Sequence, residues 1–199
     1  MLKRVFVFAG MLCALAASAN AAPYTMDGMT VDIESWTGSG ASETILVLDY
    51  NDVESNSGSG GTGNGVYYFG YNWDGSARTV WDMMADIQAT EPTLDFHATN
   101  WGTESEPNYF VDGWAYGTDD YTAVWDSTYS EWVKQWLSGD GQTWVDGNGV
   151  SADTLVDGGW TGLVFQYDGS NDAPQVPEPA SLVLLGAGGL ALLRRRSGK

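Results

Sequence analysis

The chain holds one histidine, His97, and one cysteine, Cys13. Neither sits in a pattern that does chemistry. No Ser-His-Asp arrangement is signalled around His97, and no Gly-x-Ser-x-Gly elbow is present. A zinc site needs several nitrogen or sulfur ligands, so His97 alone holds none. Carboxylate pairs could act as acid and base in glycoside hydrolysis. Glu104 with Glu106 and Asp119 with Asp120 are such pairs. In so acidic a chain, however, spacing alone does not set them apart from solvated loops. Calcium takes oxygen ligands at fixed loop positions. Asp146, Asn148 and Asp157 fill positions 1, 3 and 12 of such a loop, but Val150 and Ser151 break it at 5 and 6. Residues 168–172 offer oxygens without a closing carboxylate. Asp-Gly turns account for both stretches. The expectation is no metal and no cofactor.

The surplus is aromatic. All ten tryptophans fall between residues 36 and 160. Indole rings beside carboxylates and amides suit sugars or a flat polar ligand. Trp73 with Asp74, and Trp132, Trp136 and Trp160, are the expected binding set, because Gly and Asp turns flank them. Packing anchors at strand ends would produce the same sequence.

Charge separates the ends from the middle. Of 26 acidic residues, 25 lie within residues 22–176, against only Arg78 and Lys134, a net of −23. That balance excludes nucleic acid, whose phosphates require Lys and Arg. It also repels anionic membranes and keeps the domain soluble. The remaining cations flank two apolar runs. At the front, Lys3 and Arg4 precede thirteen apolar residues, 5–17. Ala19-Asn20-Ala21 then gives a small-x-small cleavage pattern. Residues 1–21 therefore read as a secretory signal peptide, cut by signal peptidase after Ala21 or, second, after Ala19. Thirteen residues cannot span about 30 Å of hydrocarbon. Small residues do not precede Cys13, so it does not read as a lipidation site.

At the back, Pro177-Glu178-Pro179 is followed by an uncharged run to Leu193 and then Arg194-Arg195-Arg196. Two prolines forbid helix and ladder pairing, so that segment is an extended linker. As a helix, residues 180–193 would be about 21 Å long, and the flanking arginines lend reach by snorkelling. The Arg cluster stays cytoplasmic by the positive-inside rule. The tail has no polar face to lie against a soluble core.

This three-part tail, residues 176–196, resembles the PEP-CTERM sorting signal of Gram-negative envelope proteins. The resemblance implies processing by an exosortase, a membrane-embedded cysteine transpeptidase. That enzyme would remove the tail after transient anchoring through the C-terminal transmembrane helix. The protein would then sit at the cell surface or in the exopolysaccharide matrix of a biofilm.

Three segments follow: 1–21 signal peptide, 22–175 acidic aromatic domain, 176–199 sorting signal. The middle is long enough for one core. Its fold class is α+β, a single mainly-β domain with one amphipathic helix. Residues 44–50 form a continuous apolar run with β-branched members, a strand buried on both faces. Residues 66–71 form an aromatic strand, and the Ser/Gly-rich stretch between reads as a surface loop. Thr79 and Asp82 have capping-box spacing, and Val80, Met83, Met84 and Ile87 share one helical face. Glu91-Pro92 stops that helix. The two methionines read as core filling. Residues 94–99 and 108–115 are further strand candidates. Residues 130–137 carry a second capping box, Thr128 with Glu131, yet the Gly-rich loop before Thr143-Trp144-Val145 favours a hairpin. A turn at residues 157–160 leads into a last strand, 161–167.

Several stretches in order are similar to an uncharacterised domain of exported PEP-CTERM proteins. They include Ser35-Trp36-Thr37-Gly38, Phe69-Gly70-Tyr71-Asn72-Trp73-Asp74-Gly75, Met83-Met84-Ala85-Asp86-Ile87 and Val156-Asp157-Gly158-Gly159-Trp160. The pattern departs at Asn72, where Arg is expected, and at the Gly pair before Trp160. The series strand, helix, Trp hairpin, Asp-Gly turn is also distantly similar to the β-rich C-terminal domain of cobalamin carriers. The functional expectation is a non-catalytic, sorted binding or structural module of the cell envelope. The alternatives are a cobalamin-like or carbohydrate small-ligand binder, then a matrix glycosidase.

Overall fold

Residues 44–50 have no polar face, so they must be covered on both sides. In the computed structural model they lie in β3 (Ser42–Asp49), the middle strand of a seven-stranded sheet. The structure describes residues 22–26, 29–51, 61–63, 65–124, 130–167 and 169–176. The signal peptide with Ala19 and Ala21, and the Pro-Glu-Pro, apolar and Arg parts of the tail, lie outside the described residues. So does Asp168.

The large sheet runs in the order β1 (Ala22–Met26), β2 (Met29–Gly38), β5 (Val66–Trp73), β3, β11 (Gly159–Gln166), β9 (Trp132–Ser138) and β10 (Val145–Asp146). Two pairings are parallel, β2 with β5 and β3 with β11; the others are antiparallel. β11 is buried along its whole length. The sequence places its start at Thr161, but Gly159 and Trp160 already pair with Thr44 and Ile45. The hairpin reading of residues 130–145 holds: β9 pairs with β10. Glu131 belongs to no helix. It is buried and accepts from the Tyr121 hydroxyl and the Val124 amide.

A second, antiparallel sheet has the order β4 (Gly61–Thr62), β8 (Asp119–Thr122), β7 (Tyr109–Tyr116) and β6 (Leu94–Asn100). The helix α1 (Val80–Thr90) forms as its spacing predicts, with both capping-box bonds made. Val80, Met83, Met84 and Ile87 are its buried face. Among the described residues α1 is the one helix, and none is long and apolar enough to cross a membrane. The described chain is thus mainly β with one short helix.

Strand alternation divides the apolar side chains between two cores. Leu46 and Leu48 of β3, Phe69, Tyr71 and Trp73 of β5, and Leu163 and Phe165 of β11 face α1 and the small sheet. Ile45, Val47, Tyr68 and Trp160 face the other way, against Met29, Val31 and Ile33 of β2. An aromatic junction ties the two sheets. Trp114 lies 4.4 Å from Phe165 and 5.2 Å from Tyr50, and Tyr121 lies 5.1 Å from Phe165.

The second core is closed by the end of the domain. Residues 172–176 cross the large sheet as a strap without joining it as a strand. The Gln175 amide donates to buried Asp49 at 2.7 Å, and the Tyr68 hydroxyl donates to the Gln175 carbonyl at 2.9 Å. The Gln166 amide group grips both backbone groups of Asp172 at 2.8 Å. Pro174 lies over Gly162, where a Cβ would come within 2.2 Å of the proline Cγ. Val176 packs partly buried against the second core.

This burial holds phenols protonated. Desolvation pushes Tyr50, Tyr68 and Tyr116 far above the ordinary tyrosine range. Burial, then the bond to Asp119, pushes Tyr67 up to about 12; burial, then the bond to Asp86, does the same for Tyr71. A folded pKa above the unfolded one favours folding fully below the unfolded value, near 10, and that support is lost as pH rises through the folded value. On titration to high pH these five tyrosines are therefore expected to ionise late, together with loss of far-ultraviolet circular dichroism. Tyrosinate absorbance rising for all ten phenols at the ordinary pH, with the fold intact, would contradict the packing described.

Candidate functional site

The structure separates the carboxylate pairs. Glu104 and Glu106 are exposed in the loop between β6 and β7. Asp119 and Asp120 are neighbours on β8, so their side chains point to opposite faces. Asp119 accepts from the Tyr67 hydroxyl at 2.8 Å, while Asp120 lies 3.5 Å from His97 Nε2. His97 Nδ1 is 2.6 Å from the Thr122 hydroxyl.

The side chains of Asp146, Asn148 and Asp157 are engaged in separate directions. Asp146 pairs with Lys134 at 2.9 Å, Asn148 donates to Asp153, and Asp157 accepts from the Glu43 amide. Among the described residues no cluster of three or more His, Cys, Asp or Glu could hold a metal. Asp140, in the β9–β10 loop, is held near a pKa of about 2 by the amides of Thr143 and Gln142. It acts as a turn clasp.

The four expected ligand tryptophans do not share a surface. Trp73 is 4% exposed in the main core, and Trp160 is 2% exposed in the second core, across the sheet. Their glycine neighbours suggest loops, but Trp73 ends β5 with its ring inward, and Trp160 lies inside β11. Only Trp132 and Trp136 fall on one face of β9, by the period of two. Trp136 is buried beneath Lys134, whose Nζ is 4.0 Å from the ring centre. Asp74 is exposed and caps its own turn by accepting from Ser76. The aromatics that do reach solvent are others. Trp101 is 76% exposed and Phe110 48%, with ring centres 6.1 Å apart. The sequence offers no local signal for them.

The domain's two cations are both engaged. Lys134 meets Asp146 and the Asn171 side-chain oxygen, the latter at 2.5 Å. Arg78 meets Asp86 at 2.8 Å and the Tyr71 hydroxyl at 2.7 Å.

Two cavities open at the β9 side of the large sheet. One, of about 430 Å³, is bounded by Thr44, Leu137, Thr154, Val156 and Thr161. The other, of about 410 Å³, lies where β7 faces β9 and is flanked by the stretch from Gly147 to Val150. Val111, Val133 and Leu163 line it, with Tyr109, whose ring stacks on Trp81 at 3.8 Å. Gln135 also lines it. This side chain is 8% exposed, and neither its Nε2 nor its Oε1 has a hydrogen-bond partner.

The strap leads directly to Pro177. Residues 175–197 match the family model of the PEP-CTERM protein-sorting motif. The tail is a PEP-CTERM sorting signal. A PEP-CTERM signal implies processing by an exosortase and export to the cell envelope or surface. The motif's first two residues, Gln175 and Val176, are the ones clamped onto the large sheet. No curated protein and no solved structure matches the chain.

Proposed function

We propose that this is an exported, exosortase-sorted protein of the cell surface or exopolysaccharide matrix, acting as a non-catalytic binding or structural module. The PEP-CTERM motif carries this reading. The domain ahead of it supports the rest. Its composition is strongly acidic, and its two cations are tied into structural pairs. Signal peptidase removes residues 1–21, and exosortase removes the tail after a transient stay in the inner membrane. A matrix glycosidase, the less favoured reading, would need two carboxyls across one substrate-sized gap.

A second reading, small-ligand binding, is favoured by the cavity that Gln135 lines. Its volume falls within the range of about 300–1,000 Å³ seen for ligand sites.

Replacing Pro177, Glu178 and Pro179 together by Ala tests the sorting reading in an exosortase-bearing host. The wild-type product is expected to lose the mass of its tail and reach the cell surface. The variant is expected to keep its tail and remain in the inner-membrane fraction. A variant of the same size and location as wild type would sink the proposal.

A further inference from the structure

A buried primary amide with no partner costs free energy. Each such group loses its water bonds and gains nothing in return. Gln135 carries two such atoms, an acceptor and a donor group. The fold keeps it there with little room to turn aside. A Cβ on Gly147 would lie 2.7 Å from the Gln135 Cδ, so the backbone of the β10-side loop presses on the amide. The Gln135 main chain is fixed as well, with its carbonyl accepting from the Gly147 amide at 3.0 Å. The side chain therefore stands as a donor–acceptor pair at a mainly apolar cavity, which Lys134 and Asn171, bonded to each other, also line.

We infer that the cavity between β7 and β9 binds one neutral sugar residue, with the Gln135 amide pairing two adjacent hydroxyls. The inference deepens the matrix-module reading and rests on it for the class of ligand. Three features select that class. Oε1 accepts and Nε2 donates, which matches vicinal hydroxyls, since each can do either. The walls include Val111, Val133, Val150 and Leu163, which suit the C–H face of a pyranose, and the one cation there, Lys134, is already bound to Asp146 and Asn171. Tyr109, stiffened by its stack on Trp81, supplies an aromatic flank. The net charge of the domain also turns away acidic sugars.

The test uses the full chain, purified in a detergent without a sugar headgroup. Methyl glucoside, methyl galactoside and N-acetylglucosamine are titrated in separately. Binding is read by tryptophan fluorescence, since Trp132 lines the cavity and Trp81 stacks on its Tyr109, and by saturation-transfer NMR. At least one sugar is expected to bind in the millimolar range. Gln135→Met is expected to weaken it at least tenfold and to raise the melting temperature, because the unpartnered amide is gone. No response to any of the three sugars would overturn the inference. So would wild-type affinity in the variant, or a lowered melting temperature, which would place the amide's partner within the fold. None of these results bears on tail removal, which is read separately in cells, so a failed cavity and a failed sorting signal are told apart.

Discussion

Trp114→Ala is expected to destabilise the domain by about 3–5 kcal/mol, the usual cost of deleting a large buried aromatic. That is a large share of a typical domain's stability of about 5–15 kcal/mol. Trp114 is fully buried on β7, the strand of the small sheet that reaches Tyr50 and Phe165 of the large one. Deleting the indole removes packing from both partners at once. The Tyr50 hydroxyl, 3.2 Å from the carbonyls of Trp114 and Asp119, then loses the ring that holds it in place. Trp114→Phe is expected to cost much less. The Trp114 Nε1 is buried without a partner, so phenylalanine removes an unfavourable group along with some contact. Urea unfolding of the two variants checks the contrast. Equal midpoints for Trp114→Ala and wild type would mean that the sheets are not joined through this ring.

Gln166→Leu is expected to cost on the order of 3 kcal/mol, at about 1 kcal/mol for each of three hydrogen bonds. Fully buried Gln166 accepts from the Asp172 amide and the Ser170 hydroxyl, and donates to the Asp172 carbonyl. Leucine fills similar space but leaves the backbone groups of Asp172 without these partners. Tyr68→Phe, which removes a single bond to the partly buried Gln175 carbonyl, is expected to cost about a third as much. Limited proteolysis supplies a second readout. In Gln166→Leu, residues 172–176 should become cleavable while the sheet stays protected. A strap as resistant as in wild type, with an unchanged midpoint, would show that Gln166 does not hold it.

Those two sites mark the difference between what local sequence encodes and what it does not. The helix α1 is legible because its cap, its apolar face and its stop all lie within thirteen consecutive residues. The strands β3, β5 and β9 are legible because continuous apolar or aromatic runs have few other uses. Four features escaped. Met29, Val31 and Ile33 of β2 alternate with polar residues, a strand signal the sequence reading passed over. The strand β8, Asp119–Thr122, reads as an acidic turn until β7 pairs with it. The strap has no strand signature at all; Asp49 and Tyr68, far upstream, hold it together with Gln166. The missing partners of Gln135 are likewise a property of three-dimensional surroundings, which spacing cannot report. Trp73 and Trp160 were misplaced for the opposite reason: turn residues beside them spoke for exposure, and burial of the strands they belong to overruled it.

The strap also sets a timetable. β11 lies at the heart of the large sheet, and residues 172–176 seal its second face, yet both come late in the chain. A polypeptide threaded outward from its front end cannot finish folding until residue 176 has emerged. By then little besides the hydrophobic stop and its arginines is still to pass. Under the proposed sorting route, completion of the cargo and arrival of the tail at the membrane would become nearly one event, with a single peptide bond between the last clamped residue and Pro177.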